Sequence, residues 1–198
     1  MIASTNDAFI SVTLDDEEQK RASSVAQMRC RTIPEEAKME KQIVGAYAEI
    51  AVAQLLSSRG FTVDHAYESA SRLGEADIYV NAHGIDVKAR GSHLWDVQGP
   101  RFPECQKQKL ARLHSVFWCR VVQHDDGKWG EADWSQARQL GEIHLMGWSS
   151  PEDIAGSEIR DFPKTQNDEG GRFYVIDRDA IRPTKEWLER LVSESIAT

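Results

Sequence analysis

At 198 residues the chain suits one compact domain, and no stretch approaches the ~20 apolar residues that a membrane span needs. No basic segment followed by an apolar one opens the sequence, so no secretory signal is expected. Three cysteines without a C-x-x-C unit point to reduced thiols in a cytoplasmic setting. A net charge of −8 argues against a polyanion binder, but residues 88–120 carry seven basic side chains against two acidic ones, a local +5 that leaves −13 for the rest. Contact electrostatics act within a Debye length of ~8 Å, so a phosphate-binding strip on an acidic body is physically sound; a solvated basic helix face is the alternative.

Thr13 is placed to cap a first helix whose opening turn holds Asp15, Asp16 and Glu17, acidic groups at the positive end of the helix dipole. Leu14, Ala22, Val25 and Met28 recur at roughly helical spacing, which gives this segment an apolar stripe to bury. After a break at Pro34, a second helix is predicted from about Lys38 to Arg59. Nearly every position between Ile43 and Leu56 is apolar or small, implying burial on most faces, and Gly60 supplies the stop before a strand at Phe61-Thr62-Val63. Ala76–Val80 and Ile85–Ala89 flank Asn81-Ala82-His83-Gly84, which predicts a β-hairpin with a four-residue turn. Ser115–Gln123, Glu142–Trp148 and Arg172–Asp177 read as further strands. Ser150 before Pro151-Glu152-Asp153 marks a short helix start, and Pro183–Val192 a terminal helix. This order predicts a single α/β domain, a central mixed β-sheet flanked by helices. Its core spans about 41–123, with a helical arm over 1–40 and an α/β extension over 124–198.

The acid-x-Lys pattern occurs four times, at Glu18-Gln19-Lys20, Glu36-Ala37-Lys38, Asp86-Val87-Lys88 and Asp126-Gly127-Lys128. Only Asp86 and Lys88 sit on an apolar strand, where residues two apart share a face. Pairing Val80 with Ile85 sets Tyr79 opposite Asp86 and Asp77 opposite Lys88, so that Asp77, Asp86 and Lys88 project together. The two carboxylates then stand as diagonal neighbours at ~7–8 Å, close enough to hold a cation between them. Glu49 is the only charged residue between Ile43 and Leu56. A carboxylate there is costly unless paired with a buried cation, for which Lys88 is the first candidate, or bound to a metal. Gly45, one turn earlier, permits close approach of the helix to the sheet.

Glu49 in Gly45-Ala46-Tyr47-Ala48-Glu49, Asp77 in Glu75-Ala76-Asp77-Ile78, and Asp86-Val87-Lys88 together resemble the PD-(D/E)XK nuclease superfamily, over roughly residues 41–123. The glycine four residues before the helix acid resembles its resolvase-like and Mrr-like branches, and the layout outside the core looks like small phage-encoded nucleases of a host-cell cytoplasm. Two departures stand out: no proline precedes Asp77, and Asp86 replaces the usual glutamate. The resemblance implies a restriction-endonuclease-like core and metal-dependent hydrolysis of phosphodiester bonds, most simply in DNA. Asp77, Asp86 and the carbonyl of Val87 would coordinate Mg²⁺, with Mn²⁺ as substitute, and Glu49 would bind through water or hold a second ion. Oxygen-only ligands suit such hard cations. Lys88 would stabilise charge developing on the phosphate, while Arg90, Arg101, Lys107, Lys109 and Arg112 supply nucleic-acid contacts. Gln106 and Gln108 would line the same groove, and Trp95 is the candidate base-stacking residue. A homodimer is the expected form if both strands are cut. The competing reading is an inactive nucleic-acid-binding or protein-interaction module on the same fold. Cys105, His114, Cys119 and His124 lack the tight spacing of a zinc site.

Overall fold

A computed structural model describes residues 2–6, 9–32, 39–72, 74–123, 140–164 and 170–196. The chain is α/β, built on a seven-stranded mixed sheet in the order β1-β2-β8-β7-β5-β4-β3. The strands are β1 (Ile2–Asn6), β2 (Phe9–Thr13), β3 (Val63–Asp64), β4 (Ile78–Val80), β5 (His83–Gly91), β7 (Ser115–Gln123) and β8 (Leu140–Ser149). A second, antiparallel sheet has the order β6-β10-β9, from β6 (Arg101–Pro103), β9 (Glu158–Phe162) and β10 (Gly171–Val175). The N-terminal forty residues, expected as a helical arm, contribute two strands to the main sheet. The segment after residue 123, expected as an extension, contributes β8 to the same sheet. No helix among the described residues is long and apolar enough to cross a membrane.

Helix α1 (Asp16–Thr32) is capped by Asp15 instead of Thr13. Amides of Glu17 and Glu18 donate to Asp15 Oδ1 (3.1 and 3.0 Å), and the Asp15 amide donates to the Glu18 carboxylate (2.8 Å). Its stripe of Ala22, Val25 and Ala26 is buried, and α1 packs on α2 (Met39–Ser58). The predicted burial of α2 holds: Ile43, Ala46, Tyr47, Ile50, Val52, Leu55 and Leu56 are all in the core. Gly60 ends the helix at φ 87°, and the amide of Phe61 reaches back to the carbonyl of Leu56 (3.2 Å).

The β4–β5 hairpin differs from its predicted register by two residues. Ile78 pairs with Ile85, Tyr79 with Gly84 and Val80 with His83, so the turn is Asn81-Ala82 alone, with φ of 49° and 65°. Both turn residues are left-handed, the requirement of the tight turn that matches strand twist. A shift of two keeps every side chain on its predicted face. Asp77, expected opposite Lys88, lies immediately before β4, where its amide donates to the Ile85 carbonyl (3.0 Å).

The connection between β5 and its parallel neighbour β7 runs through α3 (Ser92–Gln98), β6 and α4 (Lys107–Leu110). Two cores result. Ile85 and Val87 of β5, with Phe117, Cys119 and Val121 of β7, join the α2 residues and Trp187 of the terminal helix α6 (Thr184–Ile196), which follows the short α5 (Pro151–Ala155), in the larger one. Val116 and Trp118, from the other face of β7, join Trp95, Phe102, Leu110 and Tyr174 in the smaller one.

Candidate active site

Asp86 and Lys88 pair with Val116 and Trp118 of β7, so they project from the β5 face that the β5–β7 connection covers. Asp86 is fully buried, and Lys88 keeps about a fifth of its side chain exposed. Lys88 Nζ lies 2.7 Å from Asp86 Oδ2, donates to Gln106 Oε1 (3.1 Å) and sits 5.1 Å from the centre of the Phe102 ring. Asp77 is fixed by the amide of Val87, which donates to its Oδ2 (2.7 Å). Val87, expected to offer its carbonyl, thus meets Asp77 through its N–H.

The free oxygen of Asp77 and the Oδ1 of Asp86 converge on a cation that belongs to the chain. Lys109, from α4, makes an ion pair with Asp86 Oδ1, and its Nζ is 3.7 Å from Asp77 Oδ1. Burial, then the neighbouring charge of Asp86, raises the Asp77 pKa to about 7, with Lys109 pulling the other way. Asp86 is held below the ordinary carboxylate range, because Lys88 and Lys109 together outweigh the larger single effect of its burial. Burial acts to lower the Lys109 pKa, but Asp77 and Asp86 overcome it and raise it. Each Asp86 oxygen contacts an ammonium, Oδ2 that of Lys88 and Oδ1 that of Lys109.

Glu49 is held elsewhere. Its carboxylate takes a two-pronged bond from Arg29 of α1, Nη1 to Oε1 at 2.9 Å and Nη2 to Oε2 at 2.7 Å, with both residues buried. A buried cation does partner Glu49, as one of the two sequence expectations had it, but it is Arg29 and not Lys88. Gly45 leaves the space beside this pair: a Cβ there would lie 3.7 Å from both Arg29 Nη1 and Glu49 Oε1. Glu49 belongs to the helix over the Ile85–Val87 face, opposite Asp86 and Lys88. Its charge still acts on Asp77 and Lys109. Among the described residues, no group of three or more His, Cys, Asp or Glu side chains is arranged to hold a metal ion. The structure therefore joins Lys88 to Asp86 directly, links Asp77 to Asp86 through Lys109, and holds Glu49 in a separate pair with Arg29.

The expected phosphate contacts separate in the same way. Lys107 and Arg112 are exposed. Arg90 is half-buried and donates to Gln98 Oε1 (2.6 Å). Arg101 is buried, its guanidinium 4.4 and 4.0 Å from the ring centres of Phe162 and Phe173. Lys109 faces the carboxylates instead of solvent. Trp95 is buried in the smaller core, so its ring is no exposed platform. The cysteines Cys30, Cys105 and Cys119 are free thiols.

The sequence reading missed Arg29 and gave Lys109 another role, that of a nucleic-acid contact. Arg29 continues the buried series Ala22, Val25, Ala26 by one further turn, and an arginine in line with a buried stripe is a signal for an ionic partner. Lys109 gave no sign beyond membership of the basic segment. Comparison with protein-family models, curated proteins and solved structures finds no match for this chain.

Proposed function

We propose that this protein is a divalent-metal-dependent phosphodiesterase, a nuclease acting most simply on DNA, on a restriction-endonuclease-like core. The observation that carries the reading is the convergence of Asp77 Oδ1 and Asp86 Oδ1 on one positive charge, with Lys88 on the same strand face. The donor set fits a hard cation: all oxygen, from two carboxylates that face one ammonium. Asp77 and Asp86 would hold Mg²⁺ or Mn²⁺, and the Lys109 ammonium stands where such an ion would compete for the same oxygens. When bound, the ion supplies Lewis acidity toward a phosphate oxygen.

The chain's own groups do the rest. Lys88 has an ammonium with partial access to solvent and an orientation fixed by Asp86, Gln106 and the Phe102 ring. It would stabilise charge developing on the phosphate. The Val87 amide keeps Asp77 turned toward Asp86. Lys107 and Arg112 offer exposed charge to flanking phosphates. Glu49, expected as a third ligand, instead anchors α1 to α2 beside the site through Arg29. A homodimer remains the form that would cut both strands.

A second reading, an inactive nucleic-acid-binding module, is favoured by one feature: Lys109 and Arg29 already neutralise the carboxylates a metal would use. Incubation with plasmid, linear, single-stranded and branched DNA and with RNA, in Mg²⁺ and in Mn²⁺, separates the two. Cleavage that is lost in Lys88→Ala, with folding and metal binding intact, is the expected outcome. Loss of about 10²-fold or more is the scale for removing a group that stabilises transition-state charge. Binding of one of these nucleic acids without cleavage establishes the second reading.

A further inference from the structure

Strands β3, β4 and β5 carry one row of facing residues across the sheet, Asp64, Tyr79 and Gly84. Gly84 stands two residues before Asp86 on β5, so this row and the carboxylate site share a sheet face, about 7 Å apart. A Cβ on Gly84 would lie 3.3 Å from Tyr79 Cε1, and its absence gives the Tyr79 ring room to lean over β5. Arg72, from the 3₁₀ turn Ala70–Arg72, sits over that ring, its Cζ 5.0 Å from the ring centre. The same guanidinium donates through Nη1 to both oxygens of Asp64 (2.9 and 2.7 Å) and through Nε to Glu75 Oε2 (3.0 Å). These donors all lie in the guanidinium plane, so the carboxylates hold its edges and leave its faces for stacking.

Arg72 and Tyr79 line an open hollow of about 430 Å³, together with Val63 and Asp64 of β3 and the Asn81-Ala82 turn. That volume lies within the ~300–1,000 Å³ of small-ligand sites. The hollow beside Lys88 measures only about 160 Å³, and Trp95, Trp118 and Arg101 in its walls are buried. Charge in the larger hollow is balanced, one arginine against one aspartate, and Arg72 keeps about a third of its side chain exposed. Such a site has little for a phosphate, but it has a flat surface on which a neutral ring can stack. We propose that it receives an unpaired nucleobase of the substrate, stacked on the face of Arg72 turned away from Tyr79. The phosphate next to that base would then fall at Asp77, Asp86 and Lys88. A base inside a duplex offers no free face, so the substrate carries a single-stranded or extruded nucleotide beside the bond that is cut.

The identity of this ligand rests on the phosphodiesterase reading, but its binding needs no metal, so the two can fail separately. Fluorescence anisotropy of the full chain in EDTA compares a labelled single-stranded oligodeoxynucleotide with an abasic strand of the same length, which keeps the phosphates and loses the bases. The base-bearing strand is expected to bind about tenfold more tightly, the scale of one stacked base. Arg72→Lys keeps the charge and removes the flat face, so it should erase most of that difference and leave the affinity for the abasic strand unchanged. Tyr79→Leu, which removes the ring beneath Arg72, should weaken the preference in the same direction. Unchanged thermal unfolding shows that each variant is folded. Equal affinity for the two strands, no binding of either, or a base preference that survives Arg72→Lys overturns the proposal. Base-selective binding in a protein that cuts nothing breaks the hydrolytic reading alone; cleavage with no base preference breaks this one alone.

Discussion

Two buried ionic groups lie on opposite sides of β5, and they are built on different plans. On the α2 side, Arg29 and Glu49 meet fork to fork, each carboxylate oxygen with its own aligned donor. On the other side, Asp86 meets the ammonium groups of Lys88 and Lys109, one at each oxygen, and Asp77 faces the second of them. A guanidinium presents a rigid, directional array that locks geometry. An ammonium on a flexible stem is a point charge that another cation can replace. The first group is suited to holding two helices together, the second to exchanging its cation. The rigid pair joins α1 to α2, and the ammonium pairs lie under the β5–β7 connection.

Breaking the rigid pair should cost most. Arg29→Met strands the Glu49 carboxylate in the core, and a denaturant midpoint should fall by the equivalent of ~3–5 kcal/mol. The double replacement Arg29→Met, Glu49→Leu should recover most of that, since no charge is left buried. A single variant as stable as wild type would show that the pair is not a structural anchor.

The exchangeable group should reveal itself through pH. The folded-state pKa of Asp77 is raised from 3.8 to about 7, so between these values the folded chain keeps a proton that the unfolded chain releases. Its stabilising contribution is full at low pH and is lost as pH rises through about 7. Asp77→Asn removes this titration and can still accept the Val87 amide. Its stability relative to wild type should therefore improve from about pH 5 to about pH 8, by on the order of 2 kcal/mol. A constant difference across that range would contradict the assigned shift. Asp86 has the opposite sign: its contribution is lost only as pH falls below the ordinary carboxylate range.

The smallest effect distinguishes the cations themselves. Lys109→Met removes the ammonium lying between the carboxylates and should tighten Mn²⁺ binding about tenfold, about 1.4 kcal/mol. Arg29→Lys, on the other side of β5, should leave Mn²⁺ affinity unchanged. Equal effects from the two replacements would erase the distinction between support and site.

Much of this arrangement was legible in the sequence, and the gaps have physical causes. Strand β5 and the shared face of Asp86 and Lys88 followed from apolar alternation, and parity survived the register error because the shift was two residues. The error arose at Asn81-Ala82, where alanine takes the left-handed position that usually betrays itself as glycine. Strand β1 was missed because Ile2–Asn6 is mostly small and polar, β6 because three residues are too few for periodicity to register, and β9 because Glu158–Phe162 is mostly charged and exposed. Burial of Glu49 was readable from its apolar surroundings. Its partner was not, because Arg29 reaches it only through the packing of α1 on α2. Lys109 likewise reaches the carboxylates through the path of the β5–β7 connection, which nothing local in its sequence specifies.

The claim beneath the functional reading is that Asp77 and Asp86 form an exchangeable cation site. Electron paramagnetic resonance titration of the full chain with Mn²⁺ tests it directly. The account predicts one ion bound per chain in wild type and none in Asp86→Asn, with thermal unfolding showing that the variant is folded. Failure of the wild-type protein to bind Mn²⁺ at millimolar concentration, or equal binding by Asp86→Asn, would contradict it and leave the carboxylates and lysines as structural ion pairs.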